Sequence, residues 1–200
     1  CGGFNSSITK TVTKTIAENY SDKDVSVFAI GKKGEDVLSK TSSVISSRND
    51  IFDDLTFDNV AVIAEKLMDF YTEGTYDKIE LVYNQFKNAA TQLPQVEQFL
   101  PIKPIEGGDA AAVNSDYIFE PSKEAIVEAL IPKSLKTQLY KAIRDSFASE
   151  HGARMTAMHK ATDNAKDLRD ELLLTYNKAR QAAITNEILE IVGGAEALNN

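Results

Sequence analysis

The chain has 200 residues, 42% of them hydrophobic and 26% charged, with 5 Pro and 10 Gly. That composition belongs to a folded chain of one compact domain, or one domain plus an extended element, and excludes a large multidomain enzyme, a disordered chain and a collagen-like one. Thirty Asp and Glu against 22 Lys and Arg leave a net charge of −8, which disfavours nonspecific binding to nucleic acid or to an anionic membrane surface.

The sequence opens on Cys1-Gly2-Gly3-Phe4-Asn5. Two readings follow: a piece whose upstream part is not included, or a processed bacterial lipoprotein acylated on Cys1. One cysteine cannot form an internal disulfide. No apolar run nears the roughly 20 residues of a membrane span, so direct membrane insertion is not expected.

From Ser6 to Tyr20, Ile8, Val12 and Ile16 mark one face of an amphipathic helix, weakened by β-branched threonines. Asp24–Ile30 alternates and then runs apolar, as a buried strand does. Gly31-Lys32-Lys33-Gly34 is expected to turn it into a second extended piece, Glu35–Leu38, giving a hairpin. Over Asp58–Tyr71, Val60, Ile63, Ala64, Leu67, Met68 and Tyr71 share a helical face, and Glu73-Gly74 stops the helix. Lys78–Asn84 reads as the next strand, completing strand, helix, strand, the order of a parallel α/β crossover. Val96–Pro104 is expected to be extended, Glu106–Asn114 a surface loop and Tyr117–Pro121 a last short strand. Residues 1–121 are thus expected to form a small α/β, Rossmann-like parallel-sheet domain.

Residues 122–200 differ in kind. Ser122–Leu130 is helical by periodicity and Pro132 is expected to end or kink it. From Lys133 to Val192 there is no proline and one glycine, Gly152, and Gly193-Gly194 is the first strong stop. An unbroken helix of roughly 60 residues is about 90 Å long, against about 40–45 Å for a compact 200-residue globule, so it cannot be contained in its own globule. Ala153, Ala157, Ala161, Ala165, Leu168, Leu172, Ala179 and Ala183 recur along it at spacings of three, four or seven, as a helix–helix seam does. No second helix of that length occurs before it, so the expected partner is a segment outside these residues. Gly152 costs roughly 1 kcal/mol of helix stability against Ala, and the pattern offers no return for it.

Chemical motifs are sparse. No G-x-G-x-x-G follows a strand and no G-x-x-x-x-G-K-[ST] occurs, so no nucleotide cofactor is expected. His151 and His159 lie about 12 Å apart along one helix, too far to share a metal without ligands between them. Asp163, Asp167, Asp170 and Glu171 alternate with Lys160, Lys166 and Arg169 at helical neighbour spacing, as on a solvated face, and not as a catalytic carboxylate pair. Cys1 lacks a histidine partner. No catalytic, cofactor-binding or metal-binding residue is expected. What remains is a polar cluster over Tyr176–Glu187, in which Arg180 can make a forked pair with a carboxylate.

At these residues a family resemblance enters. Ala153–Ala197, ARMTAMHKATDNAKDLRDELLLTYNKARQAAITNEILEIVGGAEA, closely resembles the last helix of the γ subunit of F-type ATP synthases. Cys1-Gly-Gly-Phe-Asn is similar to that family's junction between its first helix and its α/β domain. Tyr83–Pro101 and Asp116–Pro121 resemble its strand-to-loop segment and its last strand before the C-terminal helices.

The resemblance implies the rotating central stalk of the enzyme, a mechanical part rather than a catalyst. Proton flow through the membrane ring would be coupled to conformational cycling of the catalytic β subunits and so to ATP synthesis. The long helix, about residues 133–192, would form an antiparallel coiled coil with an N-terminal γ helix missing from this sequence, inside the hexamer of α and β subunits. The α/β domain would sit with the ε subunit on the ring of c subunits, at the cytoplasmic face of the bacterial inner membrane. Matched position by position, the shaft-to-hexamer contacts fall on Arg154, Arg180, Gln181, Thr185 and Glu187.

Overall fold

The computed structural model describes residues 1–103 and 119–198. Contacts divide the chain into two compact units, Cys1–Met155 and Thr156–Asn200.

Helix α1 (Phe4–Asn19) forms where the Ile8, Val12, Ile16 spacing predicts it. Its threonines turn inward on the helix: Thr9, Thr11 and Thr13 each donate a hydroxyl hydrogen bond to the carbonyl four residues back. Local bonding of this kind satisfies hydroxyls that would otherwise compete with the helix. Strand β1 (Ser26–Ile30) follows.

The hairpin expected next does not form. Lys32–Leu38 is instead a helix, α2, and β1 pairs in parallel with β2 (Ser43–Arg48), Ser26 opposite Ser43 and Ile30 opposite Arg48. Gly31 makes the difference. Its φ of +108° turns the chain from strand directly into helix, and a Cβ there would stand 3.3 Å from the Phe52 ring. The parallel crossover is therefore present, but as β1–α2–β2, one unit earlier than the pattern places it. Strand β2 carries no apolar alternation to mark it, because Ser43-Val-Ile-Ser-Ser-Arg48 is mostly polar.

Helix α3 (Phe57–Thr72) is capped by Thr56, whose hydroxyl accepts from the Asn59 amide at 3.4 Å. It buries Val60, Ile63, Ala64 and Leu67. It ends as expected: Gly74 takes φ +73°, its amide donates to Tyr71 O at 3.1 Å, and the Thr75 amide donates to Phe70 O at 2.9 Å. This is the glycine-terminated cap that closes the last carbonyls of a helix.

The strand expected from Lys78 is β3 (Ile79–Asn88), and it pairs antiparallel with β4 (Thr91–Leu100). The hairpin tip is set by Asn88, whose Oδ1 accepts from the amides of Ala90 at 3.0 Å and Thr91 at 2.7 Å. The loop expected over Glu106–Asn114 lies outside the described residues, as do Tyr117 and Ile118. Phe119, Glu120 and Pro121 form no strand.

Helix α4 runs unbroken from Lys123 to Leu198, 76 residues, about 114 Å at the helical rise. Ser122 starts it, its hydroxyl accepting from the Ala125 amide. Pro132 lies inside the helix and does not end it. One missing amide is outweighed by the packing just beyond it, where Leu135, Leu139 and Ile143 are buried. Gly193 and Gly194 do not stop it either, because neither adopts the left-handed backbone that Gly74 does.

The core of the first unit joins Val60, Ile63, Ala64 and Leu67 of α3, Phe99 and Leu100 of β4, Ile51, and Leu135, Leu139 and Ile143 of α4. An α/β body and the opening turns of the long helix thus share one apolar interior.

Candidate functional site

Two parts of α4 carry chemistry that its sequence alone does not settle. The first is the segment from Ala161 to Ala197, in which every residue is exposed. At 100° per residue, Ala161, Ala165, Leu168, Leu172, Ala179 and Ala183 fall within a band about 60° wide. Leu168 and Leu172 are 56% and 59% exposed, so this part of the band is uncovered among the described residues, whereas Ala153, in the first unit, is buried. Ala165, Leu168, Leu172, Leu173 and Tyr176 line a shallow apolar hollow along it, with the Arg169 side chain at its edge.

The polar candidates sit around this band. Arg180 and Glu187, seven residues apart, lie within about 20° of one another, beside the seam. Gln181 and Thr185, four apart, face roughly 100–140° further round. One stretch of helix therefore offers a forked cation and a carboxylate on one side and an amide and a hydroxyl on another. Arg154 is not gathered with them. It lies about seven turns earlier, in the first unit, where it pairs with Glu150 and its Nη1 is 3.5 Å from His151 Nδ1.

The acidic run behaves as a solvated face: Arg169 binds Asp170 at 2.8 Å and His159 stands 3.8 Å from Asp163. His151 packs edge-on to Phe147, with ring centroids 4.6 Å apart. Among the described residues no three His, Cys, Asp or Glu side chains converge as a metal site requires.

The second part lies in the first unit, where the β3–β4 hairpin is fastened to α4. Gln138 Nε2 donates to Glu97 Oε1 at 2.7 Å and to Gln98 O at 3.3 Å. The other oxygen of Glu97 accepts from the Tyr83 hydroxyl at 2.9 Å. Burial, then the adjacent Glu97 carboxylate and the charge of Asp145, push the Tyr83 phenol up to about 12, so it stays a donor. Three turns on, Ser149, fully buried, donates to Asn84 O at 3.1 Å. At Gly152 a Cβ would lie 3.1 Å from Ala89 Cα, 3.2 Å from Ala89 O and 3.3 Å from the Phe86 ring. The hairpin tip thus rests in the notch left by the missing side chain. Sequence reasoning missed this set, and its one visible signal was the lone glycine in a long helix.

With the geometry in place, comparison supplies the lineage. A family model described as ATP synthase matches residues 1–198. The ATP synthase gamma chain of Flavobacterium psychrophilum is 71% identical over 198 residues, which are 99% of this chain and 68% of that protein. The gamma chain of Flavobacterium johnsoniae is 69% identical, over 100% of this chain and 69% of its own length. The chain therefore spans about two thirds of the relatives it matches. Among solved structures, the central stalk and c-ring of Tetrahymena thermophila mitochondrial ATP synthase aligns with TM-score 0.59 and 26% identity, over 81% of this chain and 70% of that one. A chain of Euglena gracilis mitochondrial ATP synthase aligns with TM-score 0.70 over 99% of this chain and 68% of its own, at 22% identity, which speaks to fold alone. These matches do not favour the lipoprotein reading of Cys1.

Proposed function

The chain belongs to the ATP synthase gamma-chain family, and from that premise we propose that its long helix is the shaft through which proton flow drives conformational cycling of the catalytic β subunits. As a gamma chain it is a central-stalk subunit of the rotary synthase. The observation that carries the proposal is α4 itself, 76 residues in one helix with its terminal half exposed on all sides.

A shaft needs stiffness and unlike faces at successive angles. Backbone i to i−4 bonding, uninterrupted by proline beyond Pro132, supplies the first. The unequal faces around Arg180 supply the second, since a turning helix would present a charge pair, an amide and hydroxyl, and a small-residue band in succession. The proposed occupant of that band is an antiparallel helix from outside these 200 residues. Alanines allow the close backbone approach such a pairing needs, and the exposed Leu168 and Leu172 would gain burial from it. The paired helices would turn inside the α and β subunits, with Arg154, Arg180, Gln181, Thr185 and Glu187 meeting β-subunit loops. The α/β body would stand with ε on the c-ring.

No helix among the described residues is long and apolar enough to cross a membrane. The location proposed from the gamma-chain relatives is peripheral, on the cytoplasmic face of the bacterial inner membrane.

The test is mutational. In the full-length subunit, Arg180→Ala and Gln181→Ala should each weaken assembly with α and β or lower ATP synthesis, while circular dichroism and melting of the α/β body stay unchanged. Unchanged synthesis and assembly in both variants would remove these residues from the contact.

A further inference from the structure

Helix α4 enters the α/β body through two kinds of contact, and they resist different motions. Leu135, Leu139 and Ile143 lie in the apolar core against α3 and β4. Burial of this sort is nondirectional: it opposes separation of the helix from the body, but it is far less selective against a helix sliding or rolling in its groove. Directional bonds and steric fit do that selecting. Lys136 pairs with Glu65 of α3 at 2.5 Å, and Tyr140 and Phe147 pack on the rings of Phe57 and Phe52, but from Gln138 to Gly152 the hydrogen bonds that leave α4 go to one element, the β3–β4 hairpin. Gln138 holds Glu97 and Gln98 near the hairpin's base, Ser149 holds the carbonyl of Asn84, and Gly152 receives the tip at Ala89 and Phe86. Gln138 and Gly152 are separated by about 21 Å along the helix axis, so the hairpin grips α4 at both ends of a long lever.

The notch is costly. A mid-helix glycine destabilises by roughly 1 kcal/mol against alanine, and α4 tolerates it where the hairpin backbone comes nearest. Even one methyl group there would be tighter than ordinary contact with Ala89 backbone, which has no flexible side-chain end to yield.

We infer that the β3–β4 hairpin, seated at Gly152 and fastened through Ser149 and Gln138, is the clasp that locks α4 in rotation against the α/β body, so that torque passes between body and shaft without slip. This rests on the rotor reading above. Gly152, Ser149 and Gln138 are then positioning residues: they set how much of the body's turning reaches the helix.

The test uses the full-length subunit in its complete synthase, reconstituted in liposomes, with ATP hydrolysis and dye-monitored proton pumping measured together. Gly152→Val should leave hydrolysis running while protons pumped per ATP fall by about half or more, the scale expected when a contact worth one hydrogen bond is lost. Amides of residues 84–90 should exchange faster in the same complex. Gly34→Val puts the same change in another helix, at a glycine with nothing within 4 Å, and should leave the ratio at the wild-type value. A general loss of stability would lower hydrolysis and pumping in proportion, so the ratio separates slip from misfolding. Should Gly152→Val not assemble, the double variant Gln138→Ala, Ser149→Ala carries the same expectation. Faster exchange in the hairpin with an unchanged ratio would overturn the clasp and leave the rotor reading intact. Coupled pumping that persists in wild-type liposomes when this subunit is omitted would overturn the rotor reading, and the clasp with it.

Discussion

Glycines in this chain act with opposite signs, and the backbone angle tells which. At Gly74 the φ of +73° closes α3, and a Cβ would find open space but a strained backbone. Gly74→Ala should therefore cost about 1 kcal/mol, a loss of a few degrees in thermal melting of the full chain. Gly193 is helical with equally open surroundings, so Gly193→Ala should instead protect the last turns of α4 by about 1 kcal/mol in amide exchange. Tyr83 allows a pH test. Its phenol titrates near 10 when unfolded and about 12 when folded, so the protonated form is favoured by folding. That contribution is complete below pH 10 and is lost as pH rises from 10 to 12. Melting temperature should fall more steeply across that window for the wild-type chain than for Tyr83→Phe, which has no phenol to ionise. Parallel curves would show that burial of the Tyr83 phenol beside Glu97 does not contribute this way.

Elements whose own residues dictate them were legible in the sequence. Helix α3 announces itself through Val60, Ile63, Ala64 and Leu67, and Gly74 ends it as the pattern requires. Elements defined by a partner were not. Ser43–Arg48 is a strand only because β1 lies beside it, and Lys32–Leu38 is a helix because Gly31 redirects the chain. Proline and glycine inside α4 misled for a related reason: Pro132 is carried by packing that begins at Leu135, while Gly193 lacks the left-handed turn that would make it a stop. The candidate site divides the same way. The small-residue seam and the polar group around Arg180 follow from spacing along one helix. The clasp joins Asn84, Ala89 and Glu97 to Gln138, Ser149 and Gly152 across 41 to 65 positions of sequence, and no periodicity encodes that.

For the molecule as a whole, the two units call for different supports. Residues 1–155 bury a core of their own, whereas the exposed residues 161–197 have no apolar cover among the described residues. A helix with its apolar band bare gains little from tertiary packing, which supplies most helix stability in proteins. Its function is therefore expected to depend on assembly, and assembly is where the central claim is most directly measured. With the α and β subunits fixed to a surface and a bead attached to the α/β body of the full-length subunit, addition of ATP should turn the bead continuously in one direction. A bead that stays still while the same complexes hydrolyse ATP would contradict the account.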